Sequence, residues 1–121
     1  MTADELEALV EEATFDYVTG DPAAALEKLG RATAQFPDSF EAWHAVAEIN
    51  LSQRRLDEAL AAAERAHALR KNDPLAIATL SRTWMERGDK AKAEHFGAMA
   101  KMQSWKDELS STAPPDAGGL R

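Results

Sequence analysis

Apolar residues recur at helical spacing in six successive stretches of the chain, and short polar segments separate these stretches. Within each stretch the apolar residues stand three or four positions apart, so they fall on one face of an α-helix. The two middle stretches are typical, with Trp43, Val46 and Ala47 in the first and Leu60 and Ala63 in the second. This pattern predicts an all-α protein of six helices.

Residues that start and stop helices stand at the ends of these stretches. Thr2 and Glu5 fit a capping box, in which each side chain accepts a hydrogen bond from the other residue's free backbone N–H. Gly20 is a natural helix stop, and Asp21-Pro22 restarts a helix because proline needs no N–H partner in a first turn. Asp73-Pro74 repeats that device. The sequence therefore marks several of the helix boundaries directly.

Other boundaries are marked less clearly. Either Asp38 or Ser39 can cap the third helix, with Glu41 placed for the reciprocal bond from Asp38. The polar turn of residues 53–55 contains no glycine. The sixth helix keeps its apolar spacing as far as Trp105 and Leu109, which predicts an extension that covers the end of the helical array.

Small residues recur along the chain with one period. Ala25, Ala59 and Ala93 stand 34 residues apart, and so do Ala32, Ala66 and Ala100. Two independent columns therefore share one spacing. A period of about 34 residues is typical of stacked helix-turn-helix repeats, in which small residues allow helix axes to approach closely.

The residues around these columns resemble the tetratricopeptide repeat, whose pattern is W-x₂-L-G-x₂-Y, then A-x₃-F, then A and P. The middle unit matches it with Trp43, Val46, Ala47, Asn50, Ala59, Ala63 and Ala66. The last unit offers Ile77, Leu80, Ser81, Trp84, Ala93, Gly97 and Ala100. The first unit offers Val10, Ala13, Thr14, Tyr17, Ala25, Leu29, Ala32 and Pro37, with a turn between its helices that is one residue shorter.

The resemblance implies a right-handed α-superhelix, or solenoid, of three helix-turn-helix hairpins with a C-terminal capping extension. We expect one domain over residues 1–109, with repeats at about 4–37, 40–73 and 74–107. Residues 110–121 are rich in turn formers and have almost nothing to bury, which predicts a disordered tail.

In this family the first helix of each hairpin lines a concave groove that holds peptide or protein segments. Carried over by position, the groove residues here are Glu11, Glu12, Phe15, Glu41, His44, Glu48, Leu51, Arg82 and Met85. A lining that mixes acidic and apolar residues favours a basic or amphipathic partner segment. The alternative is that the glutamates form an ordinary solvated helix face.

One specialised form of the groove is excluded by the residues present. Repeat domains of the co-chaperone type clamp a C-terminal carboxylate with Lys, Asn, Asn, Lys and Arg. The corresponding positions here are Glu11, Phe15, Ala45, Leu75 and Thr79. No clamp residue is present, so binding of a chaperone tail is not expected.

Composition and charge exclude further classes of function. The chain has 14 Lys and Arg against 21 Asp and Glu, a formal charge of −7, which disfavours nucleic-acid binding. It has no cysteine, no apolar run long enough for a membrane span and no secretory signal at its N-terminus. We expect a soluble, cytoplasmic protein.

Catalytic chemistry finds little support. Two Glu-x-x-His pairs, Glu41 with His44 and Glu64 with His67, have the spacing of di-metal sites in helix bundles, but in the repeat frame the two pairs point apart. No phosphate-binding loop occurs, and nothing marks a nucleophile for a catalytic histidine. A metal-dependent enzyme is therefore the weaker alternative, and no cofactor is expected.

The resemblance instead implies a non-catalytic adaptor or scaffold that binds a protein or peptide segment. A small chaperone of a secretion-type client is the first alternative. Self-association is also compatible with the sequence, because three repeats are near the lower limit for a stable array. Trp43 and Trp84 are predicted to pack in the core, whereas Trp105 could seal the last hairpin or make an intermolecular contact.

Overall fold

The computed structural model describes residues 1–112, which form six α-helices and no strand. These helices are α1 (Ala3–Val18), α2 (Pro22–Gln35), α3 (Phe40–Ser52), α4 (Leu56–Leu69), α5 (Pro74–Glu86) and α6 (Lys90–Thr112). The prediction of an all-α protein with six helices is therefore confirmed.

The helices are arranged as an open stack of three hairpins. Each helix packs against the next one in the chain, and α3 also contacts both α1 and α5. Within residues 1–112, the backbones of α2, α4 and α6 do not come close to one another, and neither do those of α1 and α6. The odd-numbered helices thus lie closer together than the even-numbered ones. The stack therefore curves with α1, α3 and α5 on its concave side, as expected for a solenoid.

The alanine columns mark the places where the helices approach most closely. Ala25, Ala59 and Ala93 expose 0, 0 and 1% of their surface. Ala66 is also buried, whereas Ala100 is only half-buried, because α6 is the last helix of the stack. Each member of the first column is the fourth residue of its helix, α2, α4 or α6, which confirms the 34-residue period as a structural repeat.

The turn inside each hairpin has the same geometry in all three units. In these turns the residues with positive φ are Gly20, Arg54 and Gly88, at 96°, 61° and 88°, and they stand 34 positions apart. Each turn closes with the same pair of backbone hydrogen bonds, for example Arg54 N to Leu51 O at 3.1 Å and Arg55 N to Asn50 O at 2.8 Å. This is a Schellman motif, which usually requires glycine at the left-handed position.

These equal turns correct the predicted register of the first helix. Helix α1 ends at Val18 and α2 begins at Pro22, the same separation as in the other hairpins, so the first turn is not one residue short. Leu9 and Ala13 are consequently the buried positions of α1. Thr14 is exposed, and its hydroxyl donates to the Val10 carbonyl at 2.9 Å.

Most helix starts agree with the sequence. Thr2 and Glu5 form the predicted capping box, and their hydrogen bonds lower the pKa of Glu5 from its ordinary value. Asp73 caps α5. Ser39, and not Asp38, caps α3, accepting from the Ala42 N–H at 3.2 Å.

The last helix is longer than expected. It runs for 23 residues to Thr112, so the predicted disordered tail is wrong for residues 110–112. Residues 113–121 of that tail lie outside the described residues. In the part of the chain that the structure covers, no helix combines the length and apolarity needed to cross a membrane.

Arg54 lies at φ 61°, in a conformation that is costly for a residue with a Cβ. We expect Arg54→Gly to raise the free energy of unfolding by about 1 kcal/mol and the melting temperature by about 3 °C. Calorimetric unfolding of both proteins would measure this. The substitution also removes an exposed ion pair between Arg54 and Glu86, which should matter little.

Glu86→Gln provides the matched control, because it weakens that ion pair and leaves the turn unchanged. It should alter stability by less than about 0.5 kcal/mol. Arg54→Gly could instead lower the free energy of unfolding by as much as Glu86→Gln does, or by more. In that case loss of the ion pair would outweigh relief of backbone strain at this turn.

Candidate binding site on the concave face

The concave side formed by α1, α3 and α5 carries a cleft between its first two helices. The cleft has a volume of about 410 Å³ and is lined by Ala3, Leu6, Glu7, Val10, Glu11, Ser39 and Glu41. It brings together two of the predicted groove residues, Glu11 and Glu41. Glu7 joins them, and the sequence analysis missed it because the register of α1 was shifted by one residue.

A second cleft continues the first one along the ends of the hairpins. It has a volume of about 510 Å³ and takes its lining from the α2–α3 connection and the end of α4. Leu6, Ser39 and Glu41 line both clefts, so the two form one continuous depression. An extended segment could therefore run from the start of α1 towards Arg70, where α4 ends.

Arg70 and Phe40 form the far wall of this depression. The guanidinium carbon of Arg70 lies 4.3 Å from the centroid of the Phe40 ring, a cation–π contact. Phe40 also stacks on His44, with ring centroids 5.6 Å apart. Arg70 also donates to Glu41 Oε2 at 3.0 Å. Glu41 is therefore held by Arg70 and does not make the reciprocal cap with Asp38 that the sequence suggested.

The floor between α3 and α5 is a network of polar side chains. The Thr79 hydroxyl lies 2.8 Å from Glu48 Oε2 and 3.0 Å from His44 Nε2. Arg82 donates to the same Glu48 oxygen. The predicted groove residues His44, Glu48 and Arg82 are thus brought together, and they bind one another. Thr79, one of the positions compared with the co-chaperone clamp, is 1% exposed and lies beneath them.

A row of equivalent positions runs along the concave side. Glu7, Glu41 and Leu75 stand 34 residues apart and lie near the starts of α1, α3 and α5. The side chain of Glu41 is 63% exposed, and Leu75 is also 63% exposed. The row therefore changes from acidic at the first two hairpins to apolar at the third.

Leu51 and Met85 occupy a second set of equivalent positions near the ends of α3 and α5. Leu51 is half-buried, because α5 follows it in the stack. Met85 is 51% exposed, because within residues 1–112 no third hairpin packs on α5 as α5 packs on α3. Of these two predicted groove residues, only Met85 presents a large exposed apolar surface.

Glu12 and Phe15, which the sequence analysis placed in the groove, line a different cleft. This cleft of about 390 Å³ is formed by α1 and α2 alone, with Ala8, Glu11, Asp16 and Lys28 as its other residues. Lys28 Nζ lies 2.6 Å from Asp16 Oδ2 and 3.6 Å from Glu12 Oε1. The hydrogen bond to Asp16 raises the pKa of the Lys28 ammonium above its ordinary value.

The cleft formed by α1 and α2 lies at the N-terminal end of the stack. Phe15 is 65% exposed, whereas its equivalents Ile49 and Thr83 are 3 and 0% exposed. Ile49 packs in the core cluster that includes residues of α1 and α2, the preceding hairpin. Among residues 1–112 no hairpin covers this side of α1, so Phe15 is exposed. Glu12 stands where the next repeat has Val46, which packs against the core.

The opposite end of the stack carries a similar change of residue type. Glu94 of α6 is exposed, and it stands 34 and 68 positions after Leu60 and Leu26. Both leucines pack against the core at the boundary with the next hairpin. Charged residues therefore replace apolar ones at both ends of the array.

The two tryptophans that were predicted to be core residues are both half-buried. Trp43 packs against two core clusters and donates its indole N–H to the Pro37 carbonyl at 2.8 Å. Trp84 is covered by the side chain of Lys92, whose Nζ lies 4.2 Å from the ring centroid. Both residues are therefore engaged within the fold.

The two Glu-x-x-His pairs do not form a common site. Glu41 and His44 belong to α3, where they contact Arg70 and Thr79. His67 belongs to α4, and its ring meets Phe96 of α6 at 6.2 Å. Among residues 1–112, no three His, Cys, Asp or Glu side chains are grouped so that they could hold a metal ion.

Comparison with known proteins finds similarity in structure and not in sequence. No protein-family model matches the chain, and no curated protein matches it. Among solved structures, the type III secretion translocator chaperone SycD of Yersinia enterocolitica, in an alternative dimer, has a TM-score of 0.82 and 17% identity. That match covers 91% of this chain and 84% of SycD.

Two further structures match at a comparable level. The CopN–Scc3 complex contains a chain with a TM-score of 0.80 and 17% identity, covering 94% of this chain and 72% of that one. MamA has a TM-score of 0.80 and 18% identity, and the match covers 85% of this chain and 60% of MamA. These are tetratricopeptide-like helical repeat proteins, and the present chain has their fold.

The polar network between α3 and α5 generates a prediction about stability. Thr79→Val removes the hydroxyl that meets both His44 and Glu48, and it should lower the free energy of unfolding by about 1 to 2 kcal/mol. Urea denaturation, monitored by circular dichroism, would measure this. The slope of the unfolding free energy against urea concentration should stay unchanged.

Thr83→Val is the matched control in the same helix. Thr83 is 0% exposed, but its hydroxyl donates only to the Thr79 carbonyl of its own helix at 2.7 Å. We expect this substitution to change stability by less than about 0.5 kcal/mol, because no group outside α5 loses a partner. Equal effects of the two substitutions would contradict a role for the network between helices.

Proposed function

We propose that this tetratricopeptide-like solenoid is a non-catalytic protein-interaction module that holds a segment of another protein along its concave side. The observation that carries the proposal is the continuous depression between α1, α3 and the end of α4, with acidic side chains around it. Such a depression suits an extended or helical segment that lies across several repeats.

The chemistry of the lining supports a basic and amphipathic partner segment. Glu7 and Glu11 are exposed at the first cleft, and Glu41 remains 63% exposed despite its contact with Arg70. These carboxylates would attract Lys or Arg side chains. Leu75 and Met85, on α5, are 63 and 51% exposed and would meet apolar side chains further along the segment.

The acidic residues of the groove have different roles. Glu48 already binds Thr79 and Arg82, so we assign it to the floor of the site and not to partner capture. Glu41 is intermediate, because Arg70 holds it while 63% of its side chain stays exposed. Glu7 and Glu11 line the cleft without such a role, and we propose that they make the first electrostatic contact.

A chaperone for one apolar client is the second candidate. It is supported by the match to the translocator chaperone SycD, which extends over 91% of this chain and 84% of SycD. The two candidates differ in how the client depends on the chain. A chaperone client should aggregate or be degraded when it is expressed without this protein, whereas an adaptor's partner should fold and persist alone.

The proposal is tested by reversing charge at the first cleft. The partner is first isolated with the wild-type chain from cells that make it and identified by mass spectrometry, and binding is then titrated with purified proteins. We expect Glu7→Lys with Glu11→Lys to weaken binding about tenfold at low salt, and by less at high ionic strength.

Glu58→Lys with Glu64→Lys is the control, because it makes the same change of net charge on exposed positions of α4. That control should retain wild-type affinity. Equal weakening by both double variants would indicate a response to net charge alone. Unchanged binding by the Glu7 and Glu11 variant would contradict the concave side as the site of contact.

A further inference from the structure

The distal part of α6 projects beyond the hairpin to which it belongs. Helix α6 has 23 residues, whereas its partner α5 has 13. Within α6, Ala93 is buried and Met99 and Ala100 are half-buried, but beyond Gln103 every described side chain is exposed. In proteins most of the stability of a helix comes from packing of its apolar face against other elements. A contact outside the hairpin would therefore stabilise this segment.

The exposed segment carries a stripe of apolar residues with a regular spacing. Ala98, Met102, Trp105 and Leu109 are separated by four, three and four residues, which is the spacing of a heptad seam. The last three are 56, 62 and 55% exposed. With Gly97 and Lys101 nearby, part of this stripe borders an open cleft of about 710 Å³. Contiguous exposed apolar residues of this kind mark contact surfaces.

We propose that two copies of this chain form a dimer by packing this stripe of α6 against itself in an antiparallel arrangement. The spacing of four, three and four is the same in both directions, so a two-fold axis can superpose the stripe on its own partner. Each layer then joins a smaller side chain to a larger one. Ala98 meets Leu109 of the partner subunit, and Met102 meets Trp105 of the partner subunit.

The charges beside the stripe favour the antiparallel direction. In an antiparallel pair, Lys101 approaches Glu108 of the partner subunit, because both residues flank the seam on the same side. In a parallel pair, Lys101 would instead approach Lys106 of the partner subunit, and two like charges would repel. The sequence therefore distinguishes between the two directions of packing.

This contact is separate from the concave depression. The residues of the stripe belong to α6, whereas the depression is lined by α1, α3 and the neighbouring connections. A dimer through α6 would therefore leave both depressions open. The inference does not depend on the proposed function, and its test uses the full chain without any partner.

The first experiment measures the mass of the full chain in solution. Sedimentation velocity over about 1 to 200 μM spans the range in which weak associations appear. We expect the mass to rise from one chain to two and no further, because a two-fold contact closes on itself. Trp105→Glu should weaken the association at least about tenfold, since a buried aromatic residue is replaced by a charge.

Ser104→Glu is the matched control, because it adds the same charge one residue earlier, on an exposed position away from the stripe. It should leave the monomer–dimer equilibrium close to that of the wild type. A chain that stayed monomeric throughout this range would overturn the proposal. So would a ladder of larger species, or an equal effect of Trp105→Glu and Ser104→Glu.

The second experiment determines direction, and it uses the absence of native cysteine from the chain. Ala98→Cys and Leu109→Cys are prepared separately and then mixed under mild oxidation. The antiparallel dimer predicts a disulfide between the two different variants and little cross-linking of either variant alone. A parallel dimer would reverse this result, with each variant linking to itself, and would overturn the proposal.

Discussion

Close approach of helix axes at small residues is the constraint on which this array depends. Ala25, Ala59 and Ala93 are almost fully buried, so a larger side chain at any of them would push neighbouring helices apart. Gly97 shows the same tightness directly, because a Cβ built there would lie 3.2 Å from Ser81 Oγ. The identical Schellman turns then fix how the two helices of each hairpin are placed. Curvature, and with it the concave depression, follows from these two repeated contacts.

The repeat could be predicted from the sequence because many residues carry the same 34-residue period. It failed on the register of α1, where Leu9 and Val10 are both apolar and either could be the buried position. Aligning the turns would have shown which of the two is buried, since Gly20 and Gly88 stand 34 residues on either side of position 54. Arg54 concealed that equivalence, because a non-glycine residue rarely adopts positive φ.

The candidate site was harder to predict than the fold, for a different physical reason. The helices that line the concave side were identified correctly, but the partners of their side chains come from distant parts of the chain. Arg70 reaches back to Phe40 and Glu41, and Thr79 lies beneath Glu48. No local pattern encodes these contacts, so residues that resemble a free acidic surface in sequence are partly committed to holding neighbouring hairpins together.

The charged residues at the two ends of the stack disfavour the packing of a further hairpin there. Glu12 and Glu94 stand where the inner faces of the stack carry apolar residues, so each outer face lacks one of the contacts that join neighbouring hairpins. Only the middle hairpin, residues 40–73, is apolar on both sides. It is consequently the hairpin best suited to duplication. A second copy of it would lengthen the groove by one unit, while the outer hairpins would keep their charged residues at the two ends.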